Sequence, residues 1–220
     1  MDQATLLPTI ALVVIAYLVG SIPVGSIVAR RVGGPDLRAV GAGRTGGTNA
    51  LRALGRKWAA VVVLCDLAKG AGPVLLARLI TDDALTEVMC GTAAVAGAIW
   101  SIFAGFRSGR GVGAGVGTML VIQPLAVVLV TPVFVITILL TRYVSLGSLL
   151  GSAAMFPAML LIQATGLGSA SPHSVYYVIY SAVGAVLIWL AHADNIGRLL
   201  NGTERKFDLG LLTGKRASEG

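Results

Sequence analysis

Residues 40–57 combine a flexible backbone with positive charge. The stretch VGAGRTGGTNALRALGRK has five glycines and four Arg or Lys residues, and it has no Asp or Glu. Glycines let backbone N–H groups approach an anion closely, and the N-terminus of a following helix adds positive potential. An arginine side chain can bind an oxyanion through two parallel hydrogen bonds. The pattern predicts a phosphate-binding loop. Its predicted binding residues are Gly41, Gly43, Arg44, Gly46, Thr48 and Asn49.

The loop runs directly into helix-forming sequence. Thr48 or Asn49 is expected to cap this helix, and Arg52 is expected about one turn in, where its side chain can reach the same anion. The stretch SGRGVGAGVG (108–117) repeats the design, because Gly109, Arg110 and Gly111 precede another short apolar segment. Two such loops predict a site for two phosphate groups.

A third polar cluster, HADNIGRLLNGTERKF (192–207), contains groups for acid–base chemistry. His192 and Asn195 are spaced to share a helix face, and a neutral imidazole there can orient or deprotonate a hydroxyl. Farther up the chain, Asp66 and Lys69 lie at i,i+3 inside an apolar run. We expect them to form an ion pair that supports the structure, because an unpaired charge within a membrane is costly.

The elements that must position these groups are hydrophobic. The chain has 220 residues, of which 55% are hydrophobic and 12% charged, with a mean hydropathy of +0.84. Soluble domains carry about twice that charged fraction, so an integral membrane protein is predicted. Candidate spans are residues 6–28, 58–80, 88–104, 125–140, 146–165 and 175–191, and residues 111–122 form a shortened helix that begins at a glycine loop. The N-terminal run lacks a basic flank and a cleavage pattern, so it is expected to be retained.

The cationic residues fall on alternate connections of this seven-segment map. One group of connections carries most of them: Arg30, Arg31, Arg38, Arg44, Arg52, Arg56, Lys57, Arg107, Arg110, Arg142, Arg198, Arg205, Lys206, Lys215 and Arg216. The other group carries Asp2, Asp82, Asp83 and Glu87 and no Lys or Arg. The positive-inside rule then predicts an all-α, seven-helix bundle with its N-terminus outside and its C-terminus in the cytoplasm. The net charge of +7 is thus explained by membrane orientation and does not indicate nucleic-acid binding.

Two other classes of site are excluded. GAGRTG (41–46) fits the dinucleotide pattern G-x-G-x-x-G, but it follows a membrane span and not a strand of a βαβ unit. The sequence has no CxxC pair and no His/Cys cluster, so no metal site is predicted. Cys65 and Cys90 fall toward opposite ends of consecutive spans and are expected to stay unpaired.

A series of stretches, in order along nearly the whole chain, resembles the PlsY-type family of bacterial membrane acyl-phosphate:glycerol-3-phosphate acyltransferases. These stretches are GSIPVGSIVAR (20–30), VGAGRTGGTNALRALGRKW (40–58), VLCDLAKG (63–70), FAGFRSGRGVGAG (103–115), RYVSLGS (142–148) and HADNIGRLLNGTERKF (192–207). The second is similar to the family's first motif, GSGN-x-GATN with a following Arg and LGKK. The fourth is similar to FKGGKGVAT, and the last is similar to the third motif.

The resemblance implies one membrane-embedded domain, residues 1–220, with its site at the cytoplasmic face of the bacterial plasma membrane. It implies transfer of an acyl chain from acyl phosphate to the 1-hydroxyl of glycerol 3-phosphate, giving lysophosphatidic acid and phosphate in phospholipid biosynthesis, with no cofactor. Carried over by position, the expected catalytic residues are Arg52, Arg110, Ser145, His192 and Asn195. Glu204 matches the acid of the third motif and is expected to brace its loop, with Asp66 and Lys69 as further structural support. We expect a monomer in contact with membrane lipids and no nucleic-acid partner.

The chain departs from the family pattern inside the motifs. Ala42 stands in place of a serine, Arg44 of an asparagine, Ala98 of a histidine and Ala114 of a threonine, and Ser108 and Arg110 replace a glycine and a lysine. An Arg for Lys change keeps the charge but alters the donor geometry. The departures leave an alternative open, which is a relative without catalysis that binds a phosphate-bearing lipid or transports an anion. A transporter often has two similar halves, and this sequence shows no repeat.

Overall fold

The described part of the chain is entirely helical. The computed structural model describes residues 3–167 and 174–213, and these contain eleven α-helices, one 3₁₀ turn and no strand. Lys215 and Arg216 lie outside the described residues. The helices are α1 (Gln3–Gly20), α2 (Val24–Arg31), α3 (Gly47–Leu54), α4 (Arg56–Thr81), α5 (Ala84–Ile99), α6 (Val112–Ile122), α7 (Pro124–Thr141), α8 (Val144–Thr165), α9 (Ser174–Ala191), α10 (Ala193–Leu200) and α11 (Gly210–Thr213), with the 3₁₀ turn at Ile102–Ala104.

Several of these helices suit a membrane. Among the described residues α4, α5 with its 3₁₀ extension, α7 and α8 are long and apolar enough to cross a bilayer, and two bent pairs, α1 with α2 and α9 with α10, raise the number to six. The eleven residues of α6 are apolar but span only about 16 Å at 1.5 Å per residue. Each segment predicted from the sequence thus has a helical counterpart, and the predicted all-helical class is confirmed.

The first predicted span is not one straight helix. The sequence predicts a continuous segment over residues 6–28, but the chain breaks between α1 and α2 and bends by 41°. Pro23 directly precedes α2 and has no N–H to continue the helical hydrogen bonds. The carbonyl of Ile22 at this break accepts hydrogen bonds from the amide of Val24 at 2.9 Å and from Lys69 Nζ at 3.3 Å. A residue of α4 is therefore bonded to the backbone at the bend.

Glycine allows α4 and α6 to pack closely. A side chain at Gly70 of α4 would collide with the Ala114 carbonyl of α6, and one at Gly117 of α6 would collide with the Leu67 carbonyl of α4. This reciprocal contact fixes the short helix against a long one. A neighbouring apolar cluster, which includes Met119, packs α6 against α7, α8 and α9. The N-terminus of α6 is thereby held in place at the loop that precedes it.

The three basic connections meet at one end of the bundle. Thr45 before α3 hydrogen bonds to Ser108 before α6 at 3.0 Å. Arg110 reaches Asp194 of α10, and the amide of Phe207 donates to the carbonyl of Arg142 at 2.6 Å. Segments that are far apart in sequence therefore assemble one polar surface, beneath which the helices pack.

Candidate active site

A cavity of about 480 Å³ opens between these connections. Fourteen of the sixteen residues that the sequence predicts for the site line it. They are Arg44, Gly46, Thr48, Asn49, Arg52, Asp66, Lys69, Gly109, Arg110, Gly111, Ser145, His192, Asn195 and Glu204. The two others, Gly41 and Gly43, lie outside its wall. Their positive φ angles of 60° and 65° turn the loop, and this is the role the structure gives them.

Asn49 holds the first loop together. Its Nδ2 donates to the carbonyls of Leu37, Val40 and Arg44 at 2.8–3.1 Å, and its Oδ1 accepts from the amide of Ala42 at 3.2 Å. The side chain is buried and its hydrogen-bonding groups are occupied within the loop. We therefore revise its predicted role from phosphate contact to support of the loop.

The start of α3 also differs from the prediction. Gly46 is the N-cap, and neither Thr48 nor Asn49 caps the helix through its side chain. Because no side chain covers the first turn, its amides keep the free donors that helix N-termini leave unsatisfied. These amides, at Gly47 and Thr48, lie in the cavity wall.

The second loop brings another helix N-terminus to the same cavity. Gly111 has φ of 78° and precedes α6, whose first residues Val112, Gly113 and Ala114 line the wall. The positive ends of α3 and α6 therefore open into one space, which favours bound anions. Ser108, which stands where the resembled family has glycine, is buried and spans the gap to Thr45.

Arg110 is clamped by a residue that sequence reasoning did not single out. Its Nη1 and Nη2 donate to the two carboxylate oxygens of Asp194 at 2.7 and 2.9 Å, and Nη1 also donates to the carbonyl of Ala191 at 2.6 Å. The hydrogen bonds from Arg110 hold the pKa of Asp194 far below its ordinary value. The i,i+4 spacing of Asp194 and Arg198 signals their own 3.2 Å ion pair, but the contact with Arg110 crosses 84 residues and has no local signal.

Three cations in the wall, Arg44, Arg52 and Arg205, form no ion pair with a carboxylate of the described residues. Arg52 makes one long hydrogen bond, 3.5 Å, to the carbonyl of Lys206, and Arg44 has no side-chain partner among the described residues. Burial, and then the nearby charge of Arg205, lower the pKa of Arg52. Burial, and then Arg110, do the same for Arg44. Burial disfavours the charged form of each arginine, and a bound anion would favour it.

His192 is fixed as a neutral acceptor. It lies between α9 and α10, where the chain bends by 64°, and it is only 1% exposed. Its Nδ1 is 2.8 Å from the carbonyl of Ile188, which can only accept, so Nδ1 carries the proton and Nε2 presents a lone pair. Burial lowers the pKa of His192 to about 4. His192 is the N-cap of α10 and Asn195 lies in its first turn, and both residues line the cavity.

Glu204 braces the third cluster. Its Oε1 accepts from Ser145 Oγ at 2.8 Å and from Asn195 Nδ2 at 2.6 Å, and its Oε2 accepts from Arg198 Nε at 2.7 Å. Burial works to raise its pKa, but these hydrogen bonds hold the pKa of Glu204 below its ordinary value. The carboxylate therefore stays ionised. Because the Ser145 proton is used in this brace, we revise the predicted catalytic role of Ser145 to positioning.

Asn195 carries an unsatisfied acceptor. Since Nδ2 must face the Glu204 carboxylate, the other amide atom, Oδ1, is left buried without a hydrogen-bond partner in the described structure. Buried polar atoms in proteins are nearly always paired. Together with Nε2 of His192, the site therefore has two acceptors that require hydroxyl or N–H donors from a ligand.

The floor of the cavity contains the predicted ion pair. Lys69 Nζ lies 2.9 Å from Asp66 Oδ1, and their side chains are 8% and 18% exposed. Because Lys69 also binds the Ile22 carbonyl at the break of the first span, the pair joins α4 to α1 and α2 beneath the loops. This structural contact agrees with the support role that the sequence predicts.

An apolar cavity of about 260 Å³ continues from the site. It lies between α6, α7, α8 and α9, and it shares Val112, Val116, Phe134 and Ser148 with the polar cavity. Polar side chains near it are already paired, as in the hydrogen bond between Thr118 and Tyr180. The arrangement suits an apolar chain attached to a polar head. No three His, Cys, Asp or Glu side chains in the described ranges are grouped to hold a metal ion.

Comparison with known proteins identifies the family of this chain. The family model described as glycerol-3-phosphate acyltransferase matches residues 10–202. "Glycerol-3-phosphate acyltransferase 3" of Dehalococcoides mccartyi is 40% identical over 208 residues, covering 89% of this chain and 94% of that protein. "Glycerol-3-phosphate acyltransferase 2" of Bacillus anthracis is 37% identical over 193 residues, covering 88% and 96%.

A solved structure has the same fold. The crystal structure of PlsY (YgiH), an integral membrane glycerol 3-phosphate acyltransferase in its glycerol 3-phosphate form, superposes with a TM-score of 0.82 at 33% identity, covering 95% of this chain and all of that one. The form of that enzyme with lysophosphatidic acid gives 0.80. With the apolar helices described above, this likeness identifies a multi-pass membrane protein. The chain belongs to the glycerol-3-phosphate acyltransferase family.

Proposed function

We propose that this protein transfers the acyl chain of an acyl phosphate to the 1-hydroxyl of glycerol 3-phosphate, giving lysophosphatidic acid and phosphate in phospholipid biosynthesis. The proposal depends on the unpaired groups that the described residues bring to the cavity. The side chains of Arg44 and Arg52 form no ion pair there, and no side chain caps α3 or α6, whereas Nε2 of His192 and Oδ1 of Asn195 have no hydrogen-bond donor. A phosphate ester of glycerol supplies both kinds of group, and the names of the relatives support this substrate.

The cationic wall would hold two phosphates. One lies at the N-terminus of α3 with Arg52, and the other at the N-terminus of α6 with Arg110 and Arg44. Gly46, Gly109, Gly111 and the amide of Thr48 would let the backbone approach the oxygens. The N–H and guanidinium groups are already in place when negative charge develops on the acyl oxygen, so little reorganisation is needed. This electrostatic stabilisation is usually the largest contribution to the rate of such sites.

The acceptors would orient glycerol 3-phosphate. Nε2 of His192 takes the hydrogen bond of the 1-hydroxyl, and Oδ1 of Asn195 takes that of the 2-hydroxyl. The hydroxyl oxygen attacks the acyl carbon, the bond from that carbon to the phosphate oxygen breaks, and the electron pair leaves with phosphate. Since imidazole with a pKa of about 4 is a weak base and a phosphate oxygen has a second pKa of about 6, the departing phosphate receives the proton.

The acyl chain would occupy the apolar cavity between α6, α7, α8 and α9. Phe134 and Val116 border both cavities, so the reacting carbon can lie in the polar one while the chain extends into the apolar one. Removing the chain from water contributes about 0.8 kcal/mol for each buried methylene. This burial would hold the acyl phosphate, which would reach the site from the lipid bilayer.

We also propose the topology that the charges indicate. Seven segments cross or enter the plasma membrane of a bacterium, with the N-terminus outside and the site and C-terminus at the cytoplasmic face. The positive-inside distribution supports this orientation. In a background without Cys65 and Cys90, a cysteine at exposed Thr203 should react with an impermeant thiol reagent only from the cytoplasmic side, and one at exposed Leu167 only from outside. The opposite labelling would reject the orientation.

The working unit is proposed to be a monomer with residues 1–220 as one domain and with no coenzyme or metal. All the groups invoked above come from a single chain. Size-exclusion chromatography with light scattering of the active protein in lipid nanodiscs tests this proposal, because activity confined to a dimer fraction would contradict it.

Turnover tests the reaction itself. Protein in nanodiscs is given acyl phosphate and glycerol 3-phosphate, and phosphate and lysophosphatidic acid are followed. Arg52→Ala and His192→Ala should each lower kcat/KM by about 100-fold or more, since each removes a charge or an orienting contact at the reacting groups. Arg56→Gln, at an exposed cation outside the cavity, is the matched control. Tight binding of both substrates without turnover would instead favour a non-catalytic relative.

A further inference from the structure

A second polar cavity of about 530 Å³ lies beside the proposed active site. Ala42 and Arg44 belong to the walls of both cavities. The remaining wall comes from the turn around Ala39 in the first loop, from the loop that precedes α6, which includes Arg107, and from Asp194 of α10. None of the apolar side chains that line the acyl cavity contributes to it. The second cavity is therefore a compartment of its own that adjoins the first at Ala42 and Arg44.

Positive charge is in excess in this compartment. Of its two carboxylates, Asp36 is already bound by Arg38 at 3.3 Å, and Asp194 is bound by Arg110 and Arg198. The side chains of Arg44 and Arg107 have no hydrogen-bond or ion-pair partner within residues 3–167 and 174–213. A concave wall with unpaired cations attracts dianions from solution and concentrates them.

We propose that this compartment, lined by Ala39, Arg44 and Arg107, is a second binding site for a phosphate dianion, through which the water-soluble phosphate compounds enter or leave the active site. The inference rests on the proposed function for its role in turnover, but the binding of phosphate does not. Arg44 can bind an anion in either cavity, because it contributes to both walls. Acyl phosphate is not the expected occupant, since the compartment has no apolar extension for its chain.

Isothermal titration calorimetry of the full chain in nanodiscs tests the site directly. Inorganic phosphate, added without acyl donor, should bind at three sites per chain, because the active-site cavity has two proposed phosphate positions and the second compartment adds one. Glycerol 3-phosphate should bind once in the active-site cavity and once in the second compartment. Ala39→Asp places a carboxylate in the second compartment and should weaken one site by at least about fivefold, leaving the others intact. Ala39→Asn has the same size without the charge and should keep them all. Arg52→Ala should instead weaken a site of the active-site cavity.

Kinetics separates the two sources of phosphate. If glycerol 3-phosphate enters by this route, Ala39→Asp and Arg107→Gln should raise its KM by about fivefold without changing the KM for acyl phosphate. If product phosphate leaves this way, the same variants should raise the inhibition constant of inorganic phosphate. Either result supports the site.

Three results would overturn the second site. They are no more than two inorganic phosphates per chain, binding that is unchanged by Ala39→Asp, or equal effects of Ala39→Asp and Ala39→Asn. A protein that binds three phosphates as described but never forms lysophosphatidic acid would reject the proposed function while keeping this site.

Discussion

Removal of the Asn195 amide should abolish a specific preference between two alcohols. 3-Hydroxypropyl phosphate has the phosphate and the 1-hydroxyl of glycerol 3-phosphate but lacks the 2-hydroxyl. With this analogue, Oδ1 of Asn195 stays buried and unpaired, as it is in the structure without ligand. An unsatisfied buried acceptor costs about 1–3 kcal/mol. The protein should therefore favour glycerol 3-phosphate by about 5- to 150-fold in kcat/KM.

Asn195→Ala removes the acceptor, so both alcohols should react slowly and nearly equally. The variant also loses the 2.6 Å hydrogen bond to Glu204, but this loss affects both alcohols and cancels in the ratio. Ser145→Ala is the matched control. It removes another hydrogen bond to the same carboxylate, at 2.8 Å, yet leaves Oδ1 of Asn195 in place. It should therefore lower the rate and keep the preference.

The assay measures lysophosphatidic acid, or its deoxy analogue, by mass spectrometry at alcohol concentrations below KM. Chemical unfolding of each variant verifies that the fold is retained. Two results would refute the reasoning. One is a wild-type protein that uses both alcohols equally, and the other is an Asn195→Ala variant that keeps the wild-type preference.

Lys69→Met should lower the free energy of unfolding by about 3–5 kcal/mol in chemical unfolding, because it leaves the Asp66 carboxylate without its ion-pair partner. Adding Asp66→Asn to this variant should restore most of the lost stability. Glu204→Gln should lower kcat/KM by about tenfold or more, since the amide cannot accept every hydrogen bond that the carboxylate does. Burial lowers the pKa of His192 to about 4, so between pH 6.5 and about 4 the unfolded state binds a proton that the folded state does not. The free energy of unfolding should therefore decrease by up to about 3 kcal/mol as the pH is lowered through this range, and His192→Asn should flatten this pH dependence.

Local patterns in the sequence predicted most of the helices well. The apolar runs set helix positions to within a few residues, because burial in lipid needs about 20 apolar residues and leaves few other conformations for the backbone. The bend at Pro23 was missed because hydropathy is continuous across it. The proline acts on the backbone, and the Ile22 carbonyl beside it meets Lys69 only through the packing of α4.

Residue types alone indicated anion chemistry, but not how each residue takes part. Asn49 and Arg44 are both polar members of one loop, yet the first is fully used within the loop and the second faces two cavities. The Asp194 clamp on Arg110 and the Thr45–Ser108 bridge also had no local signal, because 84 and 63 residues separate the partners. Such pairs are decided by which helices pack together.

The sequence by itself determined a helical membrane protein with three cationic, glycine-bearing connections, because hydropathy, helix period and charge segregation are local properties of the chain. Only the tertiary structure decided that His192 presents Nε2 and that Oδ1 of Asn195 is left without a donor. Those assignments depend on hydrogen-bond partners from the Ile188 carbonyl and from Glu204, and a partner is fixed only when the helices and loops that carry it are packed in place.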